Sequence, residues 1–193
     1  MPHRTIHVTE WLIPYMWLAW ALYWWISSYG VKRVVRRESA LSRAAHFLPL
    51  GLAGVLLTVR SFPGWLGERW IAPSPVLFTI GAALVLVGLL FSVWARITLG
   101  GNWSGSVTLK QHHEIVRTGP YRWIRHPIYT GLLLAFLGSA LAQGEWRGVI
   151  AMPIVVLALW RKWRLEERWL EEFFGADYAD YRQSTWTLIP YLY

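Results

Sequence analysis

Twenty consecutive residues, 76–95 (VLFTIGAALVLVGLLFSVWA), carry no charged side chain. At ~1.5 Å of helical rise per residue this run matches a hydrocarbon core of ~30 Å. The rest of the chain is also too greasy for water. Of 193 residues 55% are apolar, including 15 Trp, which is more apolar surface than a soluble core of that length needs. The expected class is an all-α integral membrane protein forming a single membrane domain over 1–193.

Four further apolar segments complete about five transmembrane helices. Residues 11–28 contain Trp11, Trp17, Trp20, Trp24 and Trp25, some of whose rings belong at the membrane interfaces. Residues 44–59 are short for a crossing, and His46 and Pro49 near their start suggest an interfacial end. Segments 128–142 and 149–160 are also short. They read as a helical hairpin, either two short spans or a partly inserted re-entrant pair, with Pro153 kinking the second. The three N-terminal spans occupy 1–95 and a mixed polar and apolar region occupies 96–193. Within the long loop, Val107, Thr108 and Leu109 suit a short extended segment. No small-residue cleavage site follows the first span, so no removable leader is expected.

Basic residues orient these spans. Fifteen of the nineteen Lys and Arg lie in the stretch after span one (Lys32, Arg33, Arg36, Arg37, Arg43), the loop after span three, and the tail after Trp160. By the positive-inside rule those three regions are cytoplasmic, which places the N-terminus outside and the C-terminus in the cytoplasm. The formal charge of +8 is then accounted for by anionic lipid headgroups rather than nucleic acid. The chain has no Cys and its six His are scattered, so thiol chemistry is excluded and no metal site is expected. Oligomeric state is not legible in the sequence.

Two polar clusters share the cytoplasmic face. The first, 113–131 (HEIVRTGPYRWIRHPIYTG), brings Arg125, His126 and Pro127 together just before an apolar run. Pro127 suits the first helical turn and His126 its cap, and the open amides there suit an anion. The second, 161–172, continues the last apolar segment as a helix leaving the membrane. Each has a plainer reading. Arg122 and Arg125 can be headgroup anchors, and Tyr121, Trp123 and Tyr129 interface aromatics. Glu166 can pair with Lys162, and Glu167 with Arg164, along one helix face.

Arg125, His126, Pro127, Ile128, Tyr129 and Gly131 follow Gly119, Pro120 and Tyr121, and precede Glu166, Glu167, Phe174, Gly175, Tyr178, Tyr181 and Pro190. This pattern resembles the isoprenylcysteine carboxyl methyltransferase family and, more loosely, membrane phospholipid N-methyltransferases. The resemblance covers roughly 99–190 and implies a catalytic region over 96–193 that uses S-adenosylmethionine. It implies cofactor-binding roles for His113, Ile115, Val116, Tyr121, His126, Pro127, Tyr129 and Glu166, in a cytoplasmic cofactor-binding loop and tail helix. Where the family has a substrate-holding arginine four residues before the glutamate, this chain has Lys162, with Arg164 two residues on. Those two are the expected holders of a substrate carboxylate, and Glu167 or His113 would serve as base for another acceptor.

The reaction so implied is carboxyl methylation of a prenylated, isoprenylcysteine-like substrate entering from the bilayer among membrane lipids. Methylation of another lipophilic thiol or amine is the near alternative. A nicotinamide-dependent membrane reductase, with Lys110, Arg117, Arg122 and Arg125 gripping phosphates, and a non-enzymatic lipid-binding scaffold are the more distant ones.

Overall fold

The computed structural model describes residues 3–29, 31–59, 61–110 and 114–191, except the side chains of 3–10 and Lys110. Helices α1 (His3–Ser27), α2 (Ala40–Thr58), α3 (Pro75–Leu99), α4 (Pro127–Gln143), α5 (Trp146–Phe174) and α6 (Ala176–Gln183) carry the fold. Among the described residues, Ala40–Thr58 and Pro75–Asn102 are long and apolar enough to cross a membrane by length and composition. Leu18, Leu22, Leu48, Leu52, Val87, Leu90 and Leu157 face outward, where a water-soluble bundle would present polar side chains.

The fold is not purely helical. The basic stretch after α1, expected as a loop, contains strand β1 (Val34–Arg37), which pairs antiparallel with β2 (Thr108–Lys110), Arg37 opposite Thr108. This hairpin-like pairing joins segments more than 70 residues apart. It draws the loop after α1 and the loop after α3 to one end of the bundle. Arg36 extends the tie to the tail helix, 2.9 Å from Glu172 and stacked over Trp169.

At the centre, α3 and α4 touch backbone to backbone. Gly81 faces Gly138 and Gly88 faces Gly131. A Cβ at Gly88 would lie 2.4 Å from the Gly131 carbonyl oxygen, and one at Gly138 would lie 2.5 Å from that of Gly81. Two glycines seven residues apart on each helix thus build one seam, the close approach that small residues permit in lipid. Helix α1 crosses that seam through two indoles. Trp17 donates to Ser139 (3.0 Å) and Trp20 to Ser92 (2.8 Å).

The expected fifth span and tail helix are one continuous helix, α5, of 29 residues, apolar at first and charged from Arg161 onward. The α4–α5 hairpin lays α4 along α3 and α5 along α2. Its turn is bonded to the segment joining α2 and α3, Trp70 N–H to Gly144 O (3.1 Å) and Trp146 N–H to Glu68 O (3.0 Å). Two arginines of α5 clamp the ends of α2, Arg161 at the Ser42 carbonyl (3.0 Å) and Arg147 at that of Val59. Gly175, at φ 55°, ends α5 and starts α6, a conformation open to glycine and costly for other residues.

Candidate active site

The start of α4 is sewn to the C-terminal segment. Trp186 donates to Trp123 O (2.9 Å), Arg125 N–H to Trp186 O (2.8 Å) and His126 N–H to Thr187 O (3.0 Å). Tyr181 hydroxyl adds a bond to Tyr121 O (2.7 Å) and Thr130 hydroxyl one to Leu188 O (2.7 Å). This corrects the expected anion site. The amides of Tyr129 and Thr130 go to His126 O and Pro127 has none, so few donors remain there for a ligand. Pro127 starts α4 and does not line the cavity described below.

Arg125 is likewise no headgroup anchor. Its side chain is buried, donating through Nε to Glu167 (2.7 Å) and through its terminal nitrogens to the Thr185 carbonyl and the Thr187 hydroxyl. His126 stacks on Tyr129 with centroids 5.4 Å apart. It bridges the two carboxylates, Nδ1 lying 3.6 Å from Glu166 and Nε2 3.4 Å from Glu167. Tyr129 hydroxyl reaches both Glu166 oxygens at 2.7 Å. Burial alone raises the Glu167 carboxyl, but the His126 ring and the Arg125 guanidinium overcome it and hold it down at about 2. Burial pushes the Tyr121 phenol far upward, so it stays protonated.

These groups face a cavity of ≈ 570 Å³. Its polar end is lined by His126, Tyr129, Lys162, Glu166 and Tyr178. Its apolar end is lined by Trp17, Trp20, Trp24, Phe47, Leu132 and Phe136. Ile115, Val116 and Tyr121 also line it; His113 lies outside the described residues. Lys162 is buried, donating to Gly105 O (2.7 Å) and lying 5.3 Å from the Tyr129 ring centroid.

Two expected acceptor-side residues do not reach the cavity. Arg164 is exposed, because two residues along a helix turn it ~200° from Lys162. Glu167 is turned behind His126 toward Arg125 and does not line the space. The expected pairings along α5 are thus replaced by pairings between elements: Glu166 with Tyr129, Glu167 with Arg125.

Sequence reasoning missed the α1 indoles, Phe47 and Leu50 of α2, and the wall formed by 102–109. The indoles stand at 17, 20 and 24, the spacing of one helix face, which was the one signal available for them. Four polar atoms of the lining are buried without a hydrogen-bond partner: His126 Nε2, which faces Glu167, and Asn102 Oδ1, Thr108 Oγ1 and Tyr178 Oη. Beside the Glu166 side chain and aromatic walls, these open positions fit a polar, cationic nucleoside cofactor.

Comparison with known proteins gives the same direction. Residues 76–177 match the family of phospholipid methyltransferases. The chain is 27% identical over 176 residues to protein-S-isoprenylcysteine O-methyltransferase B of Arabidopsis thaliana, covering 86% of this chain and 84% of that one. It is 32% identical over 119 residues to the Saccharomyces cerevisiae enzyme, covering 58% of this chain and 48% of the relative. A solved eukaryotic intramembrane Ras methyltransferase, an isoprenylcysteine carboxyl methyltransferase, superposes with a TM-score of 0.51 at 26% identity, covering 82% of this chain and 55% of that one. The chain therefore spans most of the plant relative but about half of the yeast relative and of the solved structure.

Proposed function

We propose that this chain, which belongs to the phospholipid methyltransferase family and sits within it beside the isoprenylcysteine carboxyl methyltransferases, methylates the carboxylate of a prenylated cysteine at the membrane surface, using S-adenosylmethionine. The observation that carries this reading is one cavity whose polar end holds Glu166 and Lys162 and whose other end is a channel of indoles and aliphatic side chains. A hydrophilic cofactor and a lipid-tailed acceptor need those two environments to meet.

S-adenosylmethionine supplies a methyl group on a sulfonium, already activated for displacement. Glu166, held by Tyr129 and His126, would bind its ammonium. Lys162, the buried amine at the junction of the two environments, would hold the acceptor carboxylate as a point charge, the carboxylate offsetting the burial that disfavours its ammonium form. A carboxylate needs no base, and among the described residues the candidate base Glu167 is tied to Arg125 and does not line the cavity. The rate then comes from alignment and exclusion of water. A thiol or amine acceptor would have to lose a proton, and Glu167 is not placed to take it. Glu166 beside the cavity also sets it against the polyphosphate of a nicotinamide cofactor.

In this reading α1 to α5 cross the membrane and the β1–β2 end faces the cytoplasm. The chain has no Cys, so single-cysteine reporters map it cleanly. Trp65→Cys should react with an impermeant reagent from outside and Arg122→Cys from the cytoplasm alone. The activity test is transfer of labelled methyl to a farnesylcysteine analogue in detergent. A base-labile methyl ester is expected; a stable thioether or amine product would replace the carboxylate acceptor.

A further inference from the structure

The methyl transfer described above makes no use of Glu38, although its side chain is only 1% exposed. We infer that Glu38 is a positioning residue for the cofactor end of the cavity, holding residues 105–107 in the geometry that binds S-adenosylmethionine. The inference rests on the methyltransferase reading and goes beyond it in naming what builds the cofactor wall.

Glu38 stands between β1 and α2, just before the cap residue Ser39. Its amide donates to Val107 O (3.1 Å) and its Oε1 accepts from Val107 N–H (2.9 Å). Both backbone groups of one buried wall residue are thus held by a single side chain and its own backbone. The other carboxylate oxygen accepts from the Ser42 hydroxyl (2.7 Å), and His46 Nε2 lies 3.3 Å from Oε1. Behind them Arg161 donates to Ser42 O (3.0 Å) and Ser42 Oγ (3.1 Å) and lies 3.2 Å from His46 Nδ1. The next residue of α5, Lys162, holds Gly105 O.

Gly105, Ser106, Val107 and Thr108 all line the cavity. This segment is short and contains a glycine, so its shape is set by these attachments rather than by its own stiffness. Thr108 Oγ1 within it and Asn102 Oδ1 just before it are among the buried atoms without partners. Such atoms suit the hydroxyls and ring nitrogens of a nucleoside and are unsuited to an isoprenyl chain, which is why the wall is assigned to the cofactor and not to the acceptor.

The test is calorimetric titration of the full-length, detergent-purified protein with S-adenosylhomocysteine, for wild type and for Glu38→Gln, Glu38→Asp and Glu38→Ala, alongside thermal unfolding midpoints. In Glu38→Gln the amide oxygen still accepts from Val107, so affinity should stay within about threefold. Glu38→Asp keeps the charge but falls one methylene short, and with Glu38→Ala it should weaken binding about tenfold, the cost of an unsatisfied buried donor felt at the site. Unchanged affinity in Asp and Ala variants, even with lowered midpoints, would mean a purely structural carboxylate and overturn the inference. So would a loss in Glu38→Gln as large as in Glu38→Asp. If Glu38→Ala does not fold, the Gln and Asp pair decides. Wild-type protein that binds no S-adenosylhomocysteine would overturn the methyltransferase reading itself; wild-type binding with undiminished Glu38→Asp and Glu38→Ala binding overturns this inference alone.

Discussion

The two ends of the helix bundle each bury an arginine, and they use it differently. At the far end Arg147 is 1% exposed, paired through Nε with Glu145 and bonded to the Val59 carbonyl, with Arg69 fastening the same turn through Gln143 O. At the near end Arg125 is similarly engaged, with Glu167 and the C-terminal segment. The difference lies in what stands next to each. The cavity lining passes from Gly51 to Leu99 and from Phe136 to Leu159, leaving the far end out altogether. There the charges close a helical turn. At the near end Arg125 itself borders the cavity, and Glu166 and Lys162 line the same space beside it. A buried ion pair near a membrane is thus a structural staple unless further charges beside it border a cavity.

That contrast can be broken experimentally, and the largest effect is expected at Glu166. Glu166→Ala should lower S-adenosylhomocysteine affinity about hundredfold or more, as truncation of a buried charge contact does, while Glu145→Ala should leave calorimetric affinity at the wild-type value. Lys162→Met should lower kcat/KM about thirtyfold, mostly through the KM for the acceptor because Val107 remains held by Glu38. The exposed Arg164→Ala should move neither constant, and an equal loss there would return Arg164 to the substrate side. Arg147→Met should cost about 3 kcal/mol of stability by stranding Glu145, seen as a lower unfolding midpoint with unchanged affinity. A drop in affinity would mean that the ends are coupled.

The smallest effect is a pH dependence. The Glu167 carboxyl lies at about 2 against an ordinary 4.5, so its ionised partnership stabilises the fold fully above pH 4.5 and fades as the pH falls through 2. The gap in unfolding midpoint between wild type and Glu167→Gln should be constant from pH 6 to 8 and shrink in acid. A gap that grew in acid would mean that the carboxyl is protonated in the folded protein.

The apolar helices were readable because their signal is local. Residues 76–95 exclude charge over twenty positions, and the structure places a 25-residue helix there. The glycines of the α3–α4 seam repeat every seven residues, yet nothing in that spacing names the partner helix. His126, Tyr129, Lys162 and Glu166 drew notice through charge at the edge of an apolar run and through family resemblance, and they do meet around one cavity. Arg164 and Glu167 drew the same notice and do not, since helical phase and a competing partner turned them away. The strand at 34–37 was hidden because its composition is that of a basic loop and its partner lies more than seventy residues on.

By itself, then, the amino-acid order determined which segments are apolar helices, where positive charge gathers and which polar cluster stands out. Only the tertiary structure decided that Arg125 is spent on Glu167 and the C-terminal segment while Lys162 stands over Tyr129 in the cavity, that three indoles of α1 complete the apolar channel, and that Glu38 grips a wall 69 residues away. The physical reason is range. Hydrophobic periodicity and helix termination are set by neighbours within a turn or two. A cavity wall is set by hydrogen bonds between segments whose closeness exists only once the helices have packed.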